Sequence, residues 1–168
     1  MSKVPFPRAD GPKNGWHRIF SAAVPEITLA ARWIESIAAD LDLPGKLVFD
    51  MQVCLEELMS NIVRHGRVHS SSTAHLPQTA PANSLWISIT VTAIADGIII
   101  TVEDNGRPFD VAQASEKWID QPLEQVQPGG LGIHLIKSFT SNLDYRRTEN
   151  GNRVIMEFKA KGLGHAPI

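Results

Sequence analysis

The sequence predicts an α/β protein in which amphipathic helices pack on antiparallel strands, and three observations carry that expectation. Apolar residues recur at three- and four-residue spacing over 25–41 and again over 44–66, the period of a helix half buried along one side. Between residues 86 and 102 the chain is strongly apolar, but Asp96-Gly97 interrupts it, which marks a β-hairpin rather than a membrane helix. Near the C-terminus, 143–148 and 153–159 flank Glu149-Asn150-Gly151 and read as a second hairpin.

Composition bounds the function. A chain of 168 residues is long enough for one domain with one sizeable core. The formal net charge of −2 recommends neither nucleic acid nor an anionic membrane as partner. Cys54 is the only cysteine, which excludes an intrachain disulfide or a cysteine-cluster metal site and favours a reducing, cytoplasmic compartment. Residues 1–14 have no apolar run behind their basic residues and read as a flexible leader, not a secretory signal. The domain is expected over 15–160, followed by a frayed tail at 161–168.

Taken in order, residues 16–20 suit a short first strand. Pro25 fits the first turn of a helix whose buried stripe is Ile27, Ala31, Ile34, Ala38 and Leu41. On that helix Arg32 and Trp33 offer a partner surface, with the alternative that Trp33 folds onto the core edge and Arg32 is solvated. Leu43-Pro44-Gly45 breaks the chain, and Pro44 opens a second helix with Leu47, Met51, Leu55, Leu58 and Ile62 facing inward. Gly66 ends it. Residues 67–84 are rich in Ser, Thr, Ala and Pro without periodicity and read as a surface insertion. His69 and His75 within it lack the further ligands a metal site needs. Ile87, Ile89, Val91 and Ala93 then share one face of a strand, with Ser88, Thr90 and Thr92 on the other. Ile98, Ile100 and Val102 share a parity in the next. A long irregular connection over 107–128, with a helical turn near 115–119, has the length of a lid or binding loop. Gly129, Gly130 and Gly132 then precede a helix whose buried face is Ile133, Ile136 and Phe139.

Three groups of residues carry chemistry. Glu57 and Asn61 lie one turn apart on the flank of the second helix's apolar stripe. There a carboxylate and a carboxamide can face a cleft that holds a cation or a reacting water, or can form a surface pair. Asp104 continues the buried parity of its strand, so either the strand has ended in an Asp-Asn-Gly turn or the carboxylate has a specific donor. The glycines before the last helix let backbone N–H groups approach a phosphate, or simply loosen a loop.

The order of these groups resembles the GHKL (Bergerat-type) ATP-binding domain, and within it the compact branch of anti-sigma-factor serine-protein kinases. The likeness spans about residues 16–160. Residues 57–66 look like the N box, Asp104-Asn-Gly-Arg-Pro-Phe-Asp110 like the first glycine box, and 129–136 like the second. The resemblance implies a two-layer α/β sandwich: a mostly antiparallel mixed sheet with three helices on one face. ATP would lie between the helices and a lid at 105–129. It implies that Asn61 holds Mg²⁺, that Asp104 accepts from the adenine amino group, and that Gly106 allows the base to approach. Gly130, Leu131, Gly132 and Ile133 would border the phosphates, and Glu57 would be the general base that orients the attacking hydroxyl. His65 would touch phosphate or lid, or else interact with the carbonyls at its helix end.

Two departures stand out. Pro108 replaces a second glycine common in the first box, and Asn152 follows Gly151 where relatives often carry threonine. The implied function is a serine/threonine kinase and anti-sigma switch. It would phosphorylate a STAS-type anti-sigma-factor antagonist, with a sigma factor as second partner and a homodimer as the common assembly. An ATP-responsive module with little kinase activity, acting on a protein other than a sigma factor, is the alternative. A detached histidine-kinase catalytic domain ranks last, because the first helix carries no phospho-accepting histidine.

Overall fold

The computed structural model describes residues 15–66, 84–108, 130–149 and 151–160. The expectations for the leader, for most of the 67–84 insertion with His69 and His75, for the lid beyond Pro108 and for the tail lie outside these residues. So do the helical turn near 115–119 and Gly129.

The elements in chain order are β1 (Trp16–Ser21), α1 (Val24–Asp40), α2 (Gly45–His65), β2 (Trp86–Ile94), β3 (Gly97–Asp104), α3 (Gly130–Phe139), β4 (Asn142–Arg147) and β5 (Asn152–Lys159). The strands form one sheet in the order β1-β2-β3-β5-β4. Each described pairing is antiparallel, so the parallel component implied by a mixed sheet is absent among the described residues. The connectivity explains this. β2–β3 and β4–β5 are hairpins, and the helical connections α1–α2 and α3 each return the chain to an antiparallel position.

Side chains from the three helices and one sheet face share a single core. Ile34 and Ile37 of α1 meet Met51, Leu55 and Leu58 of α2, Ile136 of α3, and the inward rows Ile87-Ile89-Val91, Ile98-Ile100-Val102 and Val154-Met156-Phe158. Inward and outward residues alternate along the sheet because successive side chains of a strand point to opposite faces. Burial of these apolar surfaces is the main force holding the two layers together. Trp33 is buried, its ring edge-on to Phe20 at 5.9 Å, so it belongs to the core and Arg32 alone is exposed.

Three local expectations are corrected. The first hairpin turn is Ala95-Asp96, since Ile94 already pairs with Gly97. Gly97 opens β3 and does not adopt a positive φ. Its glycine identity reflects close approach to β5, where a Cβ would sit 3.0 Å from the backbone carbon of Phe158. Gly66 ends α2 as expected, in an extended conformation, φ −66° and ψ 122°. A side chain there would meet the Ile62 carbonyl and, at 2.9 Å, Leu85. Ala93 is exposed while Ser88, on the outer face of β2, is buried beneath His17, whose Nε2 lies 2.8 Å from Ser88 Oγ. Finally, α3 begins at Gly130, so Gly130 and Gly132 lie inside its first turn and do not precede it.

Candidate nucleotide site

The site forms where α2 crosses the ends of β3 and β5. A helix rotates about 100° per residue, so residues four apart share a face. Asn61 therefore follows Glu57 along the side of α2 that borders the sheet. Leu58 and Ile62, on the adjacent stripe, are buried in the core and hold that side in place.

Asn61 is 3% exposed, and among the described residues its Nδ2 has no hydrogen-bond partner. An unpaired buried amide donor costs roughly 1–3 kcal/mol, a cost that an acceptor on a bound ligand or water would offset. Asn61 lines a pocket together with Asp104, Asn152 and the exposed Arg107, on a floor of Leu58, Ile62 and Val154.

Asp104 closes β3 opposite Asn152 on β5 and Ile87 on β2. It is 5% exposed, as its parity in the strand requires. Of the alternatives open to a carboxylate placed there, a specific donor set is the one present. Asn152 Nδ2 donates to Oδ1 at 2.9 Å, and the Gly106 N–H donates to the same oxygen at 2.7 Å. Among the described residues no donor reaches Oδ2. Burial pushes the Asp104 carboxyl above its ordinary value of 3.8; the donors from Asn152 and Gly106 and the positive charge of Arg147 oppose that rise without cancelling it. The result is a half-satisfied carboxylate in a pocket, able to accept one further hydrogen bond.

Gly106 lies close enough that an added Cβ would sit 2.7 Å from Asp104 Oδ1. Gly151, in the β4–β5 turn, packs on the Asp104 backbone, where a Cβ would be 2.7 Å from its carbonyl carbon. Both glycines let the backbone pack close against Asp104.

Glu57 is half-buried and faces α3. Gly132 rests directly against its carboxylate; a Cβ there would lie 2.7 Å from Glu57 Cδ. Close approach thus gives Gly132 a packing reason beside the phosphate role suggested by sequence. Gly130 and Leu131 occupy the first turn of the same helix, whose N–H groups have no intrahelical partner and whose dipole favours an anion. Ile133 is 3% exposed and packs in the core, so only its backbone is available to a ligand. His65 is exposed in the last turn of α2 and does not line the pocket.

Sequence reasoning named Asn152 without giving it a role and passed over Tyr145 and Arg147. Arg147 Nη1 donates to the Gly106 carbonyl at 2.8 Å and to Asn152 Oδ1 at 3.1 Å, and Tyr145 OH donates to that Oδ1 at 2.9 Å. The hairpin register held the clue, since it pairs Asn152 with Asp104 on one side and with Arg147 on the other.

The site can therefore accept a hydrogen bond at Asp104, offer an amide at Asn61 and present a carboxylate at Glu57. Among the described residues no cluster of three or more His, Cys, Asp or Glu could hold a metal by itself. No helix described is long and apolar enough to cross a membrane.

Comparison with known proteins agrees with this geometry. The sequence profile of the histidine kinase-like ATPase domain matches residues 20–158. The serine/threonine-protein kinase BtrW of Bordetella bronchiseptica is 27% identical over 129 residues, covering 77% of this chain and 82% of that protein. An anti-sigma F factor of Clostridium perfringens is 22% identical over 127 residues, covering 75% and 82%. Among solved structures, the RsbU and RsbW domains of a Mycobacterium tuberculosis protein superpose with a TM-score of 0.55 at 11% identity. That match covers 88% of this chain and 33% of the other. The shared feature there is the fold.

Proposed function

Because the chain belongs to the histidine kinase-like ATPase domain family, we propose that it is an ATP-dependent serine/threonine protein kinase acting in a partner-switching system. Its substrate would be a STAS-type anti-sigma-factor antagonist, and it would sequester a sigma factor once that antagonist is phosphorylated. The kinase and anti-sigma identities of the two sequence relatives support the assignment. The observation that carries it is the buried Asn61, whose Nδ2 is unpartnered among the described residues, sharing a pocket with Asp104 and lying one helical turn from Glu57.

In this reading Asp104 Oδ2 accepts from the exocyclic amine of adenine, the hydrogen bond it lacks. Guanine presents a carbonyl at that position and would be repelled by the carboxylate. The first turn of α3 orients the phosphates through its free N–H groups. Asn61 would hold Mg²⁺ through its amide oxygen, a hard ligand, while its Nδ2 would donate to a phosphate oxygen; this ion is commonly held by few protein groups, with waters and phosphates completing the shell. When bound, Mg²⁺ would supply neutralisation of phosphate charge, which together with positioning makes up most of phosphoryl-transfer catalysis. Glu57 would orient the serine or threonine hydroxyl and take its proton as that oxygen bonds to the γ-phosphorus and the bond to the β–γ bridging oxygen breaks, releasing ADP.

The test is the intact mass of a STAS-type antagonist encoded beside this gene, after incubation with Mg-ATP and either wild type or Glu57→Ala. Gain of one phosphoryl group with wild type alone is expected. Equal gain with both would remove Glu57 as an essential base. No gain in the presence of demonstrated ATP binding would favour an ATP-responsive module without kinase activity.

A further inference from the structure

Asn152 sits at the centre of a fully used carboxamide. Its Nδ2 donates to Asp104 Oδ1 at 2.9 Å and to the Arg107 carbonyl at 2.7 Å. Its Oδ1 accepts from Tyr145 OH and from Arg147 Nη1. An amide turned the other way would set its oxygen against the two acceptors Asp104 Oδ1 and the Arg107 carbonyl and its NH₂ against the Arg147 donor, losing three bonds and leaving only the Tyr145 hydroxyl, which can also accept. The same Arg147 nitrogen also holds the Gly106 carbonyl. Arg147 therefore grips both groups that donate to Asp104: the Asn152 amide through its oxygen, and the Gly106 peptide through its carbonyl.

We propose that Arg147 and Tyr145 are positioning residues of the base pocket, which act through Asn152 and Gly106 to saturate one oxygen of Asp104 and leave the other to read an exocyclic amine. This rests on the nucleotide reading above. Neither residue lines the pocket, and both project from β4, the edge strand of the sheet. Their effect is transmitted by hydrogen bonds. A cation on the oxygen of an amide polarises it and strengthens its N–H as a donor, and chained bonds of this kind reinforce one another. The clamp also ties the loop after β3 to the β4–β5 hairpin, so Asp104 keeps one orientation while Pro108 restricts the backbone of Arg107 next to it.

The experiment compares affinities for ATP and inosine triphosphate, which carries a carbonyl in place of the amine, in wild type and in Tyr145→Phe/Arg147→Gln. Wild type is expected to prefer ATP. The double variant should lose about tenfold in ATP affinity with little change for inosine triphosphate, so that the preference collapses. Arg147→Lys, which retains a cationic donor, should recover part of it. Tyr145→Phe alone, which removes one hydroxyl and leaves the ring, should lose about threefold and serves if the double variant melts early. Preserved ATP preference in a folded double variant would overturn the inference, as would an equal loss for both nucleotides, which indicates a general structural role. Failure of wild type to bind ATP would overturn the nucleotide reading itself and this inference with it.

Discussion

Gly132 of α3 lies flush against the carboxylate of Glu57 on α2, with no room between them for a methyl group. The contact limits where the Glu57 carboxylate can go. Gly132→Ala should therefore push Glu57 aside. Alanine favours a helix over glycine by roughly 1 kcal/mol, which offsets part of the packing loss, so the melting temperature should move little. Phosphoryl transfer should fall roughly 10²-fold if a shift of about 1 Å misplaces the base. A rate equal to wild type would show that Glu57 need not occupy this position.

Asp104→Asn separates binding from stability. Both donors to Asp104 reach Oδ1, so the carbonyl oxygen of an asparagine can keep them while its NH₂ replaces the free Oδ2. Thermal stability at neutral pH should hold or rise, because the buried charge is gone. ATP affinity should fall roughly 10- to 100-fold, the value of a hydrogen bond to a charged acceptor. Calorimetry and a thermal melt on the same sample check both halves; undiminished affinity would end the adenine role.

The raised pKa of Asp104 gives a pH dependence of known sign. Burial favours the neutral acid in the folded state, so this group's contribution to stability is full below 3.8 and is lost as pH rises through the folded value. Ligand binding runs the other way, since only the carboxylate accepts. ATP affinity should weaken on acidification at a higher pH than an ordinary carboxylate would produce. Removing the positive charge of Arg147, which opposes the rise, should move that limb higher still. An affinity flat down to pH 4 would contradict this.

Asn61→Leu replaces the amide whose Nδ2 is unpartnered with an apolar side chain of similar size. The variant should be as stable as wild type or more so, by up to about 1–3 kcal/mol. It should also lose the Mg²⁺-dependent part of ATP affinity. An equal loss in the presence of a chelator would rule out a metal role for Asn61.

Cys54 is fully buried among core residues of α2, and burial, with a smaller contribution from the Asp50 charge, pushes its thiol up to about 12. A thiolate is the reactive species. Iodoacetamide at pH 8 should leave the native protein unmodified and label it once denatured. Rapid native labelling would mean that α2 opens locally.

The elements and the inward rows of the sheet were legible because burial imposes a period that sequence displays directly. Asp104 is the clearest case, its parity alone placing a carboxylate inside. Glycines were harder to interpret. Gly66, Gly97 and Gly132 read as capping, turning and phosphate-binding residues, yet each also answers a close approach from a segment distant in sequence, Leu85, Phe158 and Glu57 respectively. Such contacts leave no local period. The Asn152 clamp was hidden for the same reason, since Asp104 and Asn152 become neighbours only through strand register. Trp33 shows the opposite limit: one aromatic between two faces of a helix fits either, and the Phe20 ring decides.

Gly66 and Leu85 bracket the 67–84 stretch, and both abut Gly106: an added Cβ there would be 3.4 Å from each. Asn105 fastens the second end, accepting from the Trp86 N–H and donating to the Ser84 carbonyl, each at 2.9 Å. The folded domain thus fixes the endpoints of this excursion regardless of what lies between them. Closing a flexible chain between fixed ends grows dearer only logarithmically, by about 0.6 kcal/mol per doubling. Residues can therefore be added to or removed from this stretch at small thermodynamic consequence, without moving Gly66, Leu85 or the pocket beside them.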